Sequence, residues 1–260
     1  MNKPHNPAPA TPIALVTGGS RGLGRSTALQ LARQGCDVIL TYQTRQAQAD
    51  AVVAEITASG RRAVALPLDV RTFSGYPAFA ESVHAALAAH WQTEHFQYLV
   101  NNAGVGVHAG LAETTEQQFD MLVDIHLKAC FFLTQTLLPL IADGGRIVNL
   151  SSGLTRFALP GYAAYASMKA GVEVLSRYMA KELGPRGIAV NVVAPGAIAT
   201  DFGGGSVRDN AELNAFVAGQ TALGRVGLPD DIGGVIAALL SPANAWVNAQ
   251  RIEASGGMFL

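Results

Sequence analysis

The chain has 260 residues, a formal net charge of −1, and 49% hydrophobic against 14% charged residues. That length suits one large domain with a substantial core, and the near-zero charge excludes the basic footprint of a nucleic-acid or anionic-membrane binder. Cys36 and Cys130 offer neither a disulfide framework nor metal-ligand spacing, so no metal and a reducing, cytoplasmic setting are expected.

The chain opens MNKPHNPAPATP, Pro-rich and without an apolar signal region, and residues 1–11 read as a disordered leader. Ile13–Val16 is a short β-rich apolar run, followed by TGGSRGLG at Thr17–Gly24. A helical pattern spans Leu23–Arg33 and stops at Gly35. Cys36–Tyr42 reads as a strand, Arg45–Ser59 as a helix, Ala63–Leu68 as a strand and Ala78–His90 as a helix. Phe96–Val100 is a fourth strand, running into NNAG at Asn101–Gly104. One continuous apolar helix is predicted over Glu116–Ile141, ahead of a fifth strand, Arg146–Leu150, that ends in Ser151 and Ser152. A helix then opens around Tyr162. A strand follows at Ile188–Val193, then a Pro195-Gly196 break and a polar, Gly-rich segment over Thr200–Thr221. A helix near Asp230–Leu240 and a strand at Arg251–Ala254 close the chain. No run approaches eighteen uncharged apolar residues, so no membrane span is expected.

Strands alternating with helices predict an α/β fold, a doubly wound parallel sheet of about seven strands in a single domain over residues 12–260. The strands are nearly continuous apolar runs, as a sheet covered on both faces requires.

Three positions suggest chemistry. Gly18, Gly22 and Gly24 lie between the first strand and first helix, where glycines allow a tight turn and close approach to a pyrophosphate at the helix N-terminus. Tyr165 and Lys169 are four residues apart on one helix, hence on one face. An ammonium close to a phenol favours the phenolate, so Tyr165 is expected below its free pKa of about 10 and able to exchange a proton with a substrate oxygen. Ser152, at the end of the fifth strand, is placed to hydrogen-bond that same oxygen.

TGxxxGxG at Thr17, NNAG at Asn101, Ser152, YxxxK at Tyr165–Lys169 and PG at Pro195 occur in this order. Together they resemble the short-chain dehydrogenase/reductase family over nearly the whole chain. The resemblance implies a Rossmann-like domain, a nicotinamide cofactor, and interconversion of a ketone and a secondary alcohol. It makes Tyr165 the general acid/base, Ser152 the residue that positions the carbonyl, and Lys169 the residue that binds the ribose and acidifies the tyrosine. It also implies cofactor contacts from Gly18, Ser20, Arg21, Gly22, Leu23 and Gly24 in the loop, from Asp69 and Val70 at the adenine, and from Asn102, Ala103 and Gly104. Pro195, Gly196, Ile198 and Thr200 match the segment that holds the carboxamide.

One position departs from the family. His126, in DIHLKACFF, stands where the family usually carries an asparagine that supports a water relay to the lysine. The second strand ends at Tyr42 without a carboxylate for a ribose 2′-hydroxyl. Arg21 precedes Gly22, where the resemblance implies a 2′-phosphate contact that suits an arginine, with Arg45 a weaker helper. NADP(H) is therefore the expected cofactor, and reduction the expected direction.

On the substrate side, the glycines of Thr200–Thr221 suggest a lid. His108, Leu154, Phe157, Leu159 and Tyr162 are candidate pocket residues that favour a ketone with hydrophobic substituents. The apolar faces of the helices bearing Phe131 and Val172 suit a homodimer or homotetramer. Two other readings stay open: a 3-oxoacyl-[acyl-carrier-protein] or CoA reductase, and a catalytically idle NADP(H)-binding regulatory protein.

Overall fold

The structure, a computed structural model, describes residues 11–260; the leader expected over residues 1–11 lies almost wholly outside the described residues. The chain folds in the order β1 (Ile13–Val16), α1 (Gly22–Arg33), β2 (Asp37–Tyr42), α2 (Gln46–Ala58), β3 (Ala63–Pro67), α3 (Tyr76–Trp91) and β4 (Phe96–Asn101). It continues through α4 (Glu116–Leu122), α5 (Ala129–Leu137), β5 (Ile141–Leu150), α6 (Ala163–Leu183) and β6 (Ala189–Pro195). It ends with α7 (Ser206–Asp209), α8 (Ala211–Gly219), α9 (Pro229–Leu240) and β7 (Arg251–Ala254).

All seven strands join one sheet in the order β3-β2-β1-β4-β5-β6-β7, and every pairing is parallel. Successive side chains of a strand point to opposite faces, so β1 feeds two cores. Ala14 and Val16 pack with α1, α2 and α9, while Ile13 and Leu15 pack with α3, α5 and α6. All four β1 residues are buried, as expected of a sheet covered on both faces. The doubly wound single domain thus has the predicted Rossmann-like layout. The strand order reverses between β1 and β4, and a crevice at the carboxyl ends of the strands opens there.

The helix predicted over Glu116–Ile141 is corrected. Thr115 starts α4 with a capping box, its side chain accepting from Gln118 N–H and its own N–H donating to Gln118 Oε1. A π turn over Val123–Lys128 then interrupts the α ladder. Such turns widen the helix by one residue and re-aim side chains, and they recur at functional sites; here the buried residues inside it are Ile125 and His126. Pro139 falls in the closing 3-10 turn, and β5 begins at Ile141 rather than Arg146. The Asp143-Gly144-Gly145 stretch reads as a turn, yet it is carried inside the strand. An added Cβ at Gly145 would lie 2.7 Å from the Gln97 carbonyl, so only glycine lets β5 lie that close to β4.

The membrane expectation also needs qualification. Among the described residues, Glu116–Leu140 is long and apolar enough by composition to cross a membrane. In the fold it is a core run, with Leu122, Leu133 and Leu137 buried; a core helix passes the same compositional test.

Candidate active site

A cleft of about 790 Å³ lies at the carboxyl ends of the central strands, and every site residue singled out in the sequence lines it. On the β1 side the loop into α1 is built by close backbone approach. Gly18 and Gly22 adopt φ of +64° and +55°. A Cβ at Gly24 would lie 2.2 Å from the Gly18 carbonyl and 2.5 Å from Asn102 Nδ2. Thr17 Oγ1 accepts from the Asn102 and Ala103 N–H groups, both at 2.9 Å, and Asn102 Nδ2 donates to the Thr17 carbonyl at 2.8 Å. Gly18 N–H donates to Thr41 Oγ1 at 3.1 Å. These bonds fasten the glycine loop to β4 and β2 and leave the α1 N-terminus facing the cleft. The first turn of α1 carries no acidic residue, so a positive helix end is presented to an anion. Such a cradle fits the diphosphate of a dinucleotide.

The far end of this half is polar. Tyr42, Gln43, Thr44 and Arg45 follow β2, and Asp69, Val70 and Arg71 follow β3. Asp69 accepts from Arg71 Nη2 at 3.0 Å and Gln43 Nε2 at 2.9 Å. The Arg71 hydrogen bond holds its carboxyl down at about 2, so it is a satisfied anion. Arg21, expected to face a 2′-phosphate, pairs with Asp201, Nη1 to Oδ2 at 3.0 Å. Asp201 had no signal in the sequence that singled it out.

The other half holds Ser152, Tyr165, Lys169 and His126. Ser152 lies two residues beyond β5 and caps a 3-10 turn, its Oγ accepting from Leu154 N–H at 3.2 Å. Tyr165 and Lys169 are both buried on α6. Lys169 Nζ donates to the Leu150 carbonyl at 2.8 Å and lies 5.7 Å from the centre of the Tyr165 ring.

The expected acidified phenol is therefore corrected. Burial pushes the Tyr165 hydroxyl above its ordinary value, opposed by a hydrogen bond with Ser152. Burial also brings the Lys169 ammonium down to about 8. Desolvation of the charged form is the largest cause of both shifts.

His126 packs edge-on against Tyr165, ring centroids 5.2 Å apart. Its Nε2 meets the Val105 carbonyl at 2.8 Å, which assigns the proton to Nε2 and makes Nδ1 a bare acceptor. Nδ1 is buried without a partner among the described residues. Burial, reinforced by the Lys169 charge, lowers its pKa to about 2, so the ring is neutral. A second cavity of about 20 Å³, room for one water, lies behind the pair and is bordered by both His126 and Lys169.

Sequence reasoning missed two supports. Glu173, one turn beyond Lys169, accepts at one oxygen from Ser151 Oγ (2.6 Å), Thr155 Oγ1 (2.7 Å) and Arg251 Nε (2.7 Å). Its spacing after Tyr165 and Lys169 was the available signal; Arg251 offered none. Phe202 covers the site, its ring 5.8 Å from that of Tyr165. Gly203, Gly204 and Gly205 follow it, all at positive φ, with α7 and α8 beyond. Among the described residues no cluster of metal-ligating side chains is present.

Residues 18–259 match the family model described as enoyl-(acyl carrier protein) reductase. An uncharacterized oxidoreductase of Methylorubrum extorquens is 38% identical over 246 residues, covering 95% of this chain and 97% of its own. The chain belongs to the short-chain dehydrogenase/reductase family. Its place among the oxidoreductases of this family agrees with other curated relatives. A hydroxynaphthalene reductase-like protein of Metarhizium brunneum is 36% identical, with 94% of each chain covered. The 3-oxoacyl-[acyl-carrier-protein] reductase FabG of Staphylococcus aureus is 37% identical, covering 96% of this chain and 99% of its own. Two solved short-chain reductases are similar throughout. The promiscuous reductase LugOII, which catalyses keto-reduction at C1 in lugdunomycin biosynthesis, has a TM-score of 0.90 at 37% identity, covering 96% of this chain and 98% of its own. The angucycline C-6 ketoreductase LanV, solved with bound NADP, has a TM-score of 0.91 at 34% identity and 97% of each chain covered.

Proposed function

We propose that this protein is an NADPH-dependent reductase that converts a ketone with bulky apolar or aromatic substituents into a secondary alcohol. The observation that carries the reading is one continuous cleft joining a diphosphate cradle at the α1 N-terminus to Ser152, Tyr165 and Lys169. LanV with its NADP and the ketoreductase neighbours support it.

In this reading Gly18, Ser20, Gly22, Leu23 and Gly24 cradle the diphosphate. Asp69 and Val70 flank the adenine, and Asn102, Ala103 and Gly104 border the ribose. Pro195, Gly196, Ile198 and Thr200 border the nicotinamide. Arg21, which lines the cleft as Tyr42 does, gives up Asp201 to meet a 2′-phosphate. Bound there, the reduced nicotinamide supplies a hydride to the carbonyl carbon. Ser152 Oγ holds the carbonyl oxygen, and Tyr165, kept protonated by burial, gives its proton to that oxygen as the alcohol forms. The Lys169 ammonium then stabilises the phenolate left behind. His126 and Lys169 border the one-water cavity, so a water there bridges the Lys169 ammonium and the Nδ1 acceptor and keeps the ammonium in place, and the phenolate takes its proton back from solvent as the alcohol leaves. Proximity and alignment within the closed cleft supply much of the rate.

Phe131, Phe132, Val174 and Tyr178 are large exposed apolar or aromatic side chains of α5 and α6, which fits pairing of these helices between copies of the chain. The buried free cysteines fit a reducing cytoplasmic setting. The 3-oxoacyl reductase reading draws on FabG and on the family model's description. An acyl-carrier docking patch needs free cations near the mouth; Arg21, Arg208 and Arg225 are each ion-paired, and Arg45, at the end of the cleft beyond β2, is exposed.

The deciding experiment follows NADPH and NADH oxidation against panels of aryl ketones, alkyl ketones and acyl thioesters, with Tyr165→Phe as control. Turnover of a bulky ketone with NADPH that falls about 10²- to 10⁴-fold in the variant, with NADPH binding retained, supports the proposal. Preference for acyl thioesters supports the second reading, and an unchanged Tyr165→Phe rate defeats both.

A further inference from the structure

The substrate half of the cleft is walled by Leu154, Phe157, Leu159, Phe202 and Met258, yet it contains one polar pair outside the proposed chemistry. His108 and Tyr162 both line the cleft and meet edge to face with ring centroids 5.0 Å apart. Among the described residues no hydrogen bond engages either the His108 ring or the Tyr162 hydroxyl, so both keep donor and acceptor capacity facing the ligand space.

The pair is held in place by its surroundings. The Ala109 N–H donates to the Gly161 carbonyl at 2.9 Å, fastening the loop that carries His108 to the loop that carries Tyr162. Gly161 adopts φ of +89°, and a Cβ there would lie 2.3 Å from His108 Nε2. The imidazole therefore occupies space that only a glycine at 161 leaves open. Tyr162 is fixed from the other side as the N-cap residue of α6, next to the turn that presents Tyr165.

The geometry points to a second-oxygen subsite: His108 and Tyr162 hydrogen-bond a hydroxyl or carbonyl carried by the ring system of the substrate, away from the carbonyl that is reduced. The inference rests on the ketone-reductase reading for the identity of that substrate, which becomes a hydroxylated aryl ketone rather than a plain hydrocarbon-substituted one. Aromatic and aliphatic walls take the ring faces, and the polar pair sets which edge turns toward Ser152 and Tyr165. Apart from the buried Lys169, no lysine or arginine lines this half, so a carboxylate substituent lacks a counter-charge whereas a neutral hydroxyl finds two partners. A site built to bond a substrate hydroxyl discriminates against the analogue without it, because its own polar groups are then left unpaired.

The test measures NADPH oxidation with 1-tetralone and its ring-hydroxylated isomers, by the wild-type protein, His108→Phe and Tyr162→Phe. At least one isomer exceeds 1-tetralone in kcat/KM by roughly three- to tenfold, the range expected of a net hydrogen bond. Each variant shrinks that ratio toward one through KM, and His108→Gln, which keeps a donor and an acceptor, restores part of it. A ratio near one for every isomer in the wild type, or one unmoved in both phenylalanine variants, overturns the inference. Binding of 1-naphthol and dihydroxynaphthalenes to the NADPH-saturated protein is measured in parallel by calorimetry. A preference for a diol that disappears in His108→Phe supports the subsite, and equal binding overturns it. If that preference is present while no ketone is reduced, the proposed function fails and the subsite stands.

Discussion

Lys169 Nζ donates to the Leu150 carbonyl at 2.8 Å while standing 5.7 Å from the centre of the Tyr165 ring. The ammonium is thereby anchored to the end of β5, and burial governs both groups, raising Tyr165 and lowering Lys169 to about 8. Reduction requires a phenol with a proton to give and an ammonium to stabilise the phenolate that results. Below pH 8 both are in place. As pH rises through about 8 the ammonium is lost, so kcat/KM for reduction declines by up to about tenfold per pH unit, and alcohol oxidation, which needs the phenolate together with that ammonium, rises up to about pH 8 and then levels off. Profiles taken in both directions test this, and a reductive profile level to pH 10 rules it out.

His126 leads to a second pH dependence. Its pKa falls from about 6.5 in the unfolded chain to about 2 in the fold, chiefly through burial. The unfolded state therefore binds an extra proton below pH 6.5, and stability present above that value is lost as pH falls toward the folded pKa. Between pH 6.5 and 5.5 this single group costs about 1 kcal/mol. Denaturant unfolding at the two pH values, compared with His126→Asn, isolates the effect: the variant lacks that increment. A nitrogen-15 histidine spectrum in which His126 titrates near pH 6 would contradict the assignment.

The sheet, its order of elements and the membership of the cleft were legible because each rests on local pattern. Apolar strands, glycine spacing and the four-residue step from Tyr165 to Lys169 all act over short stretches of chain. The π turn at His126 was not legible, since apolar periodicity continues through Glu116–Leu137 and hides a one-residue widening. The start of β5 at Ile141 was hidden by Asp143-Gly144-Gly145, whose turn-like composition is overridden by pairing with β4. The direction of the Tyr165 shift was misjudged because spacing gives proximity but not burial, and burial decided it. Asp201 and Arg251 find their partners across 180 and 78 residues, separations that no local pattern encodes.

The pairing of Arg21 with Asp201 makes the segment after β6 a competitor for the proposed 2′-phosphate contact. Their side chains are 47% and 41% exposed, so the pair is solvent-screened and gives way readily to another anion. Asp201→Asn removes that competition and lowers the NADPH dissociation constant by about two- to fivefold, leaving that of NADH nearly unchanged. Arg21→Ala raises the NADPH constant about tenfold or more, since a charge-assisted bond to phosphate is lost. Nucleotide fluorescence titrations measure all four constants. Equal effects on NADPH and NADH would show that Arg21 does not read the 2′ position.

Glu173 holds the floor beneath Ser152. Its Oε1 collects Ser151, Thr155 and Arg251, and Arg251 Nη2 also reaches the Ser152 carbonyl at 3.3 Å and Thr155 Oγ1 at 3.0 Å. One carboxylate on α6 thus joins the turn after β5 to β7, and the guanidinium it pairs with is only 25% exposed. Glu173→Leu removes the acceptor shared by Ser151, Thr155 and Arg251, leaves Arg251 its pair with Glu253 at 3.0 Å, and destabilises the fold by about 1–3 kcal/mol. Adding Arg251→Met removes a cation that has lost one of its two carboxylates, while Glu253 keeps Arg156 at 2.7 Å, so part of the stability returns. Activity recovers less, because the Ser152 carbonyl has then lost its Arg251 bond and keeps only those from Thr155, so the substrate carbonyl that Ser152 positions is held less well. Unfolding midpoints read against kcat for the two single variants and the double variant separate the effects. Parallel recovery of stability and kcat would mean that the network serves the fold alone.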